Sequence, residues 1–167
     1  GTGGMSGISN SAAITLGNIE RNKIYDLEIN NISGILSGIL ISAGTTINAD
    51  NNLIGDLRSP KSSLGDAIRG ISITSATALS TYNVFYNTVF LNAASTDVSF
   101  GTSCVFHTSS GTATTATLNL RNNLLVNLSS PGSGSGFTVA YRRSGTVLTN
   151  YSSSSDNNSF YSGLAGP

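Results

Sequence analysis

The chain writes one short pattern more than once. Arg21–Leu27 reads "RNKIYDL" and Asn51–Leu57 reads "NNLIGDL", thirty residues further on. Anchored on its second residue, the pattern returns at Asn22, Asn52, Asn87, Asn123 and, faded, at Asn158, with spacings of 30, 35, 36 and 35 residues. A recurrence at a period of about 20–50 residues is the signature of a solenoid, and it outranks any local reading of helix or strand.

Two further columns keep the same register. "GILISAGTT" (Gly38 to Thr46) matches "GISITSAT" (Gly70 to Thr77), with echoes in "CVFHTSSGT" from Cys104 and "VAYRRSGT" from Val139, and a leading copy in "GISNSAA" from Gly7. Six residues before each repeated Asn stand Leu16, Thr46, Thr81, Thr117 and Ser152. Apolar and polar residues alternate within the columns, as in Ile71-Ser72-Ile73 and Leu118-Asn119-Leu120. Period two means strand. Helical repeats need amphipathic runs that this chain lacks, and its β-branched content disfavours helix further.

Each repeat is therefore read as three short strands, one rung of a parallel β-helix. The expected fold is all-β, a right-handed parallel β-helix of about five three-stranded rungs, spanning residues 1–167 as one segment of a longer chain. Its hand follows the usual hand of parallel crossovers. Ile24, Ile54, Val89, Leu125 and Phe160 should form an interior ladder. The Asn column should sit at a bend, adopt the left-handed conformation there, and hydrogen-bond from rung to rung.

Composition narrows the partners. Net charge is zero and charged residues are 10% of the chain, against about 25% in an average soluble domain. The only adjacent basic pair is Arg142-Arg143, too little for a phosphate backbone, so no nucleic acid is expected. No apolar run is long enough to insert in a membrane. With Cys104 alone, no internal disulfide can form. The opening "GTGG" lacks an initiator Met and a signal peptide, so the chain reads as a mature or excised piece. No cap stands at either end, where "FYSGLAGP" fades out, so end-to-end contact with further rungs or a partner chain is expected.

The stretches between the Asn strand and the next "G-I" strand vary most: Glu28–Ser37, Arg58–Arg69, Ala93–Ser103 and Ser129–Phe137. Insertions in a solenoid gather on one face, often the binding face. A glycan or surface-protein contact is expected there.

Taken together, "GILISAGTTINADNNLIGDL", "YNTVFLNAAST", "LNLRNNLLVN" and "VAYRRSGTVLTNYSSSSDNNSFYSG" resemble the secreted right-handed parallel β-helix repeat proteins of Bacteroidota, large surface proteins that often end in a type IX secretion sorting domain. That resemblance implies a secreted or cell-surface location and an adhesive or structural role. The sorting domain itself has no counterpart in this sequence.

No catalytic, cofactor-binding or metal-binding residue is assigned. Polysaccharide lyases and hydrolases on β-helices need clustered carboxylates, and the acids here are Glu20, Asp26, Glu28, Asp50, Asp56, Asp66, Asp97 and Asp156. Asp26 stacks with Asp56 and Glu20 with Asp50, but Arg21, Lys23 and Arg58 lie beside them, which reads as a charge-balanced ladder rather than a Ca²⁺ site. His107 and Cys104 are an odd number apart, so as strand residues they should face opposite ways and form no dyad. Thr45, Thr77, Thr112 and Thr146 read as a turn-forming ladder rather than an ice-binding array. Tyr25, Tyr82, Phe85, Tyr86 and Phe90 are the aromatics whose alignment on one face would favour glycan, with Tyr82 and Tyr86 sharing a strand parity. The leading reading is a non-enzymatic adhesin, stalk or scaffold, and the alternative is a carbohydrate-active β-helix.

Overall fold

The computed structural model describes residues 3–163. The chain coils five times. The first rung holds β1 (Met5–Asn10), β2 (Leu16–Glu20), β3 (Lys23–Ile24) and β4 (Leu27–Glu28), and the second β5 (Leu36–Ile41), β6 (Thr46–Asp50), β7 (Leu53–Ile54) and β8 (Leu57–Arg58). The third holds β9 (Ile68–Ile73), β10 (Thr81–Phe85) and β11 (Thr88–Leu91), the fourth β12 (Thr102–His107), β13 (Thr117–Arg121) and β14 (Leu124–Asn127), and the last β15 (Thr138–Arg143) and β16 (Ser159–Ser162).

Equivalent strands pair in parallel, which makes the molecule a parallel β-helix. Sheet A runs β1-β5-β9-β12-β15, sheet B β2-β6-β10-β13, and sheet C β3-β7-β11-β14-β16. A fourth, two-stranded sheet of β4 and β8, not anticipated from the sequence, lines the first two rungs. At a rung spacing of about 4.8 Å the stack is on the order of 25 Å tall. The terminal "GT" and the last four residues of the fading "FYSGLAGP" lie outside the described residues.

Four of the five side chains expected in the sheet C ladder are interior, but Phe160, in register with Leu125, is 49% exposed, because the last rung is covered from one side only among the described residues. Ile24, Ile54, Val89 and Leu125 are buried on sheet C, and Ile47, Tyr82 and Leu118 on sheet B. Ser152 departs from its column. The last rung instead touches sheet B through bridges of Leu118 with Tyr151 and Arg121 with Asp156.

The bend from sheet B to sheet C is two residues long in every rung, and the work there is divided between them. Arg21, Asn51, Tyr86, Asn122 and Asn157 take the left-handed conformation, with φ between 54° and 57°. The repeated Asn beside each does not, which corrects the expectation above. Its amide is occupied otherwise: Asn87 Oδ1 accepts from the backbone N of Asn52 at 3.0 Å and from its Nδ2 at 2.9 Å. Asn87 Nδ2 in turn donates to Asn123 Oδ1 at 3.1 Å and to the Ala49 carbonyl at 2.7 Å. Left-handed backbone and buried amide saturation are separate demands, so neighbouring residues meet them.

A second amide ladder stands on the outer face of sheet B, where Asn48 donates to Asn18 at 2.8 Å, Asn83 to Asn48 at 2.8 Å and Asn119 to Asn83 at 2.7 Å. Its sequence signal is an Asn four residues before each of the first four bend Asn residues.

Sheet A departs from simple alternation. Its pairing steps over Gly7, Gly38, Gly70, Cys104 and Ala140 in turn. A Cβ on Gly38 would come within 2.6 Å of Ile54 Cγ2, and one on Gly70 within 2.4 Å of Val89 Cγ1, so the small column is where sheet C presses against sheet A. The step puts the residue after it back on the inside, and Ile39, Ile71 and Val105 are fully buried.

Asn87→Ala should remove the acceptor of the Asn52 backbone N–H and of one Asn52 Nδ2–H, and the side-chain donor to the Ala49 carbonyl, in a dry site. We expect a loss of roughly 3 kcal/mol or more in urea unfolding, from about 1–3 kcal/mol per stranded buried group. Asn158→Ala, at the partly exposed last rung, should cost clearly less.

Candidate functional site

The carboxylates come together around a cation already in the chain. Asp26 and Asp56 both sit at left-handed bends, φ 58° and 48°, in adjacent rungs whose Leu27 and Leu57 are paired. Arg58 reaches Asp26 Oδ1 at 2.6 Å, Glu28 Oε2 at 3.1 Å and Asp56 Oδ1 at 2.5 Å. Its hydrogen bonds to Asp56 and then Asp26 raise the Arg58 pKa, while those from Arg58 and then Asn30 lower that of Glu28. Glu20 and Asp50 pair in register at the end of sheet B. Burial first, and Glu20 second, raise the pKa of Asp50. Lys23 takes no part and lies over the Tyr25 ring at 4.7 Å. Among the described residues no three His, Cys, Asp or Glu side chains are grouped to hold a metal ion.

Cys104 and His107 do not face opposite ways. The step in sheet A at residue 104 returns both to the interior, and both are fully buried. They still form no nucleophilic pair. Burial pushes the Cys104 thiol up to about 12. His107 Nε2 donates to the Ala116 carbonyl at 2.8 Å and Nδ1 accepts from Arg143 Nη1 at 2.8 Å, which assigns the proton to Nε2. Burial holds the ring neutral with a pKa of about 4. Asn150, also fully buried, donates to the carbonyls of Thr108 and Thr115 at 3.0 Å each. Arg143 Nη2 meets Asn150 Oδ1 at 2.6 Å. The turn over residues 108–116 is the longest between sheets A and B. Its inward carbonyls need donors, and His107 and Asn150 supply them. The cluster is structural.

Thr45, Thr77, Thr112 and Thr146 lie in turns of unequal length and do not stack. The backbone N of Thr81 bonds to the Thr45 carbonyl, whereas that of Ala116 bonds to the Thr77 carbonyl. The threonines that do stack are Thr46, Thr81 and Thr117 on sheet B.

The aromatics separate. Tyr82 is fully buried, its hydroxyl between the Gly44 carbonyl at 3.1 Å and Ser75 Oγ at 2.5 Å, whereas Tyr86 stands exposed at a left-handed bend. Their shared parity is broken by that bend. Phe85 is half-buried on the outer face of sheet B. Tyr25 and Phe90 project from the outer face of sheet C, and so does Tyr161, which is not among the aromatics singled out from the sequence.

The variable stretches stack beside sheet A, as the backbone bonds from Leu36 to Ala67, Ala67 to Gly101 and Thr102 to Phe137 show. They shield its outer face, so that all six residues of β12 are buried. There Asp66 Oδ2 lies 2.8 Å from both Arg69 Nε and Arg142 Nη1, and Ser103 donates to Oδ1 at 2.8 Å. Arg69 sits 3.6 Å over the Phe106 ring and Arg142 4.7 Å over Phe137. Towards the first rung this face opens into a groove of about 390 Å³, lined by residues including Met5, Ser37, Leu40, Arg69, Ser72 and Thr74. No known protein family, curated protein or solved structure matches the chain.

Because Arg58 fills the centre of the acid cluster, Ca²⁺ should leave the melting temperature of the native chain unchanged. Arg58→Gln should lower it at neutral pH and low salt, and Ca²⁺ should then restore part of the loss. A second expectation concerns acid. Between pH 6.5 and about 4 the unfolded chain binds a proton at His107 that the folded chain refuses. Stability should therefore fall as pH falls through that window, by on the order of 3 kcal/mol. His107→Gln should lose less than the native chain between about pH 7 and about pH 4.5 in paired urea titrations.

Proposed function

We propose that this chain is a secreted or cell-surface β-helix module that works without catalysis, as an adhesin, stalk or structural scaffold. The carrying observation is the loop-walled groove on sheet A. The turns that differ most in length and chemistry from rung to rung are held in register against that one face. The charge cluster of Asp66, Arg69 and Arg142 makes the wall rigid rather than mobile. A fixed groove of Ser, Thr and Leu with one arginine at its margin suits recognition of an extended polar partner. The sparsely charged composition and stacking in place of disulfides fit a location outside the cell. The resemblance to the β-helix surface proteins of Bacteroidota points the same way.

A second reading, a carbohydrate-binding β-helix, has one observation in its favour, the exposed aromatics of sheet C. The two readings concern different faces.

The test is retention of the purified protein on immobilised collagen and mucin, with reducing sugar release from mucin and neutral β-glucans followed in parallel. Binding without release is expected for at least one of these surfaces, reduced by Leu40→Trp, which fills the groove. Steady release of reducing ends, or of unsaturated sugar, would sink the non-enzymatic reading.

A further inference from the structure

One column on the outer face of sheet C alternates in size. Phe90 is paired to Val126, and Val126 to Tyr161. The pairing of Ile24 with Ile54 and of Val89 with Ile54 continues the column to Gly55 and Tyr25. From first rung to last it reads Tyr25, Gly55, Phe90, Val126, Tyr161. The three aromatic rings are 55%, 42% and 55% exposed. In the neighbouring column the large exposed side chains fall on the other rungs, Leu53 at 45% and Leu124 at 44%. The result is a narrow apolar strip along the solenoid axis, with aromatic rings on every second rung.

Nothing in the folding of sheet C calls for this. Its inner face is already filled by Ile24, Ile54, Val89 and Leu125, and a strand exterior built on Thr and Asn serves equally well, as sheet B demonstrates. Contiguous apolar exposure on a soluble surface marks an interaction site.

The geometry points to an extended, uncharged, β-linked polysaccharide lying along the solenoid axis. Two rungs span roughly 10 Å, the length of an extended disaccharide. In a flat β-1,4-linked chain each sugar is flipped relative to the one before it. The same C–H face therefore returns once per disaccharide, in step with the aromatic rungs. Stacking of those faces on Tyr25, Phe90 and Tyr161 would engage ~5 consecutive sugars over the four rung steps. Gly55 and Val126 leave room for the ring edges of the intervening sugars, and the hydroxyls of Thr88 and Ser159 stand beside the strip to meet equatorial OH groups. Lys23, over Tyr25, is the one charged side chain among these two columns, which disfavours an acidic glycan as the specific partner.

This inference deepens the carbohydrate-binding reading and is independent of the groove on sheet A. The experiment is calorimetric titration with β-1,4-linked gluco-oligosaccharides of increasing length, with maltohexaose as the α-linked control. Affinity should climb in steps of two sugars, level off near the length of the strip, and be absent for the curled α-linked chain. Phe90→Ala, which removes the central ring, should weaken the longest β-linked ligand by about tenfold, as befits the loss of one aromatic contact. Its melting temperature should not change, since Phe90 is exposed. Leu40→Trp, in the other face, should have no effect. Binding that ignores Phe90→Ala would overturn the proposal. So would self-association in sedimentation that Phe90→Ala abolishes, because the strip would then belong to a second copy of the chain. Loss of glycan binding in the native protein would leave the scaffold reading of the sheet A groove standing.

Discussion

Everything in this molecule depends on each rung finding its hydrogen-bond partners in the next one. Strands of two to six residues have no independent stability, and the turns between sheets hold no ladder of their own. What makes stacking specific is the Asn column. A buried amide presents two donors and an acceptor that an apolar neighbour would leave stranded. Asn52, Asn87 and Asn123 satisfy this requirement only when the next Asn stands directly above, so the column sets the register of the whole coil. The outer ladder on sheet B runs its donors in the opposite direction, towards the first rung. The two amide rows thus oppose rather than reinforce one another along the axis.

The bend carrying the inner ladder cannot change length without breaking it, and it is two residues long throughout. The other two corners carry no such constraint. They range from four to ten residues among the first four rungs, and their growth towards the later rungs has consequences inside the coil. Where the turn between sheets A and B lengthens, its carbonyls turn inward, and His107 and Arg143 take the column that Ile41 and Ile73 hold in earlier rungs, with Asn150 bonded beside them. Where the corner before sheet A lengthens, the loops cover the outer face of that sheet, which explains why β12 has no exposed residue.

Charge is handled locally. Arg58 gathers three acids from two rungs, Arg121 pairs with Asp156 between the fourth and fifth, and Asp66 is enclosed by two arginines. Arg58 and Arg121 each span one rung step, Arg142 reaches across two to Asp66, and Arg69 meets Asp66 within its own rung, reaches that a long side chain with forked donors allows. Of the acid pairs that hint at a metal site in the linear sequence, Asp26 and Asp56 are thus cross-linked between rungs through Arg58, whereas Glu20 and Asp50 stand in register as like charges. The faces left over, sheet C above all with Lys23 as the single charge in its outer columns, are open to a neutral partner.

The repeat, the strands, the interior ladders and the stacking of Asp26 on Asp56 were all legible in the sequence, because parallel stacking turns a fixed sequence period into direct spatial contact. Period-two parity then located most inward residues. It failed wherever the backbone steps out of strand geometry. The pairing step at Cys104 brought Cys104 and His107 to the same side, and the left-handed bend separated Tyr82 from Tyr86. The outer Asn row was readable but overshadowed by the stronger one. Which turns wall a groove, and that Tyr161 joins Phe90 and Tyr25 on one strip, are matters of the tertiary structure alone. They depend on loop paths and on accumulated register across rungs of unequal length, and no local pattern in the chain encodes either.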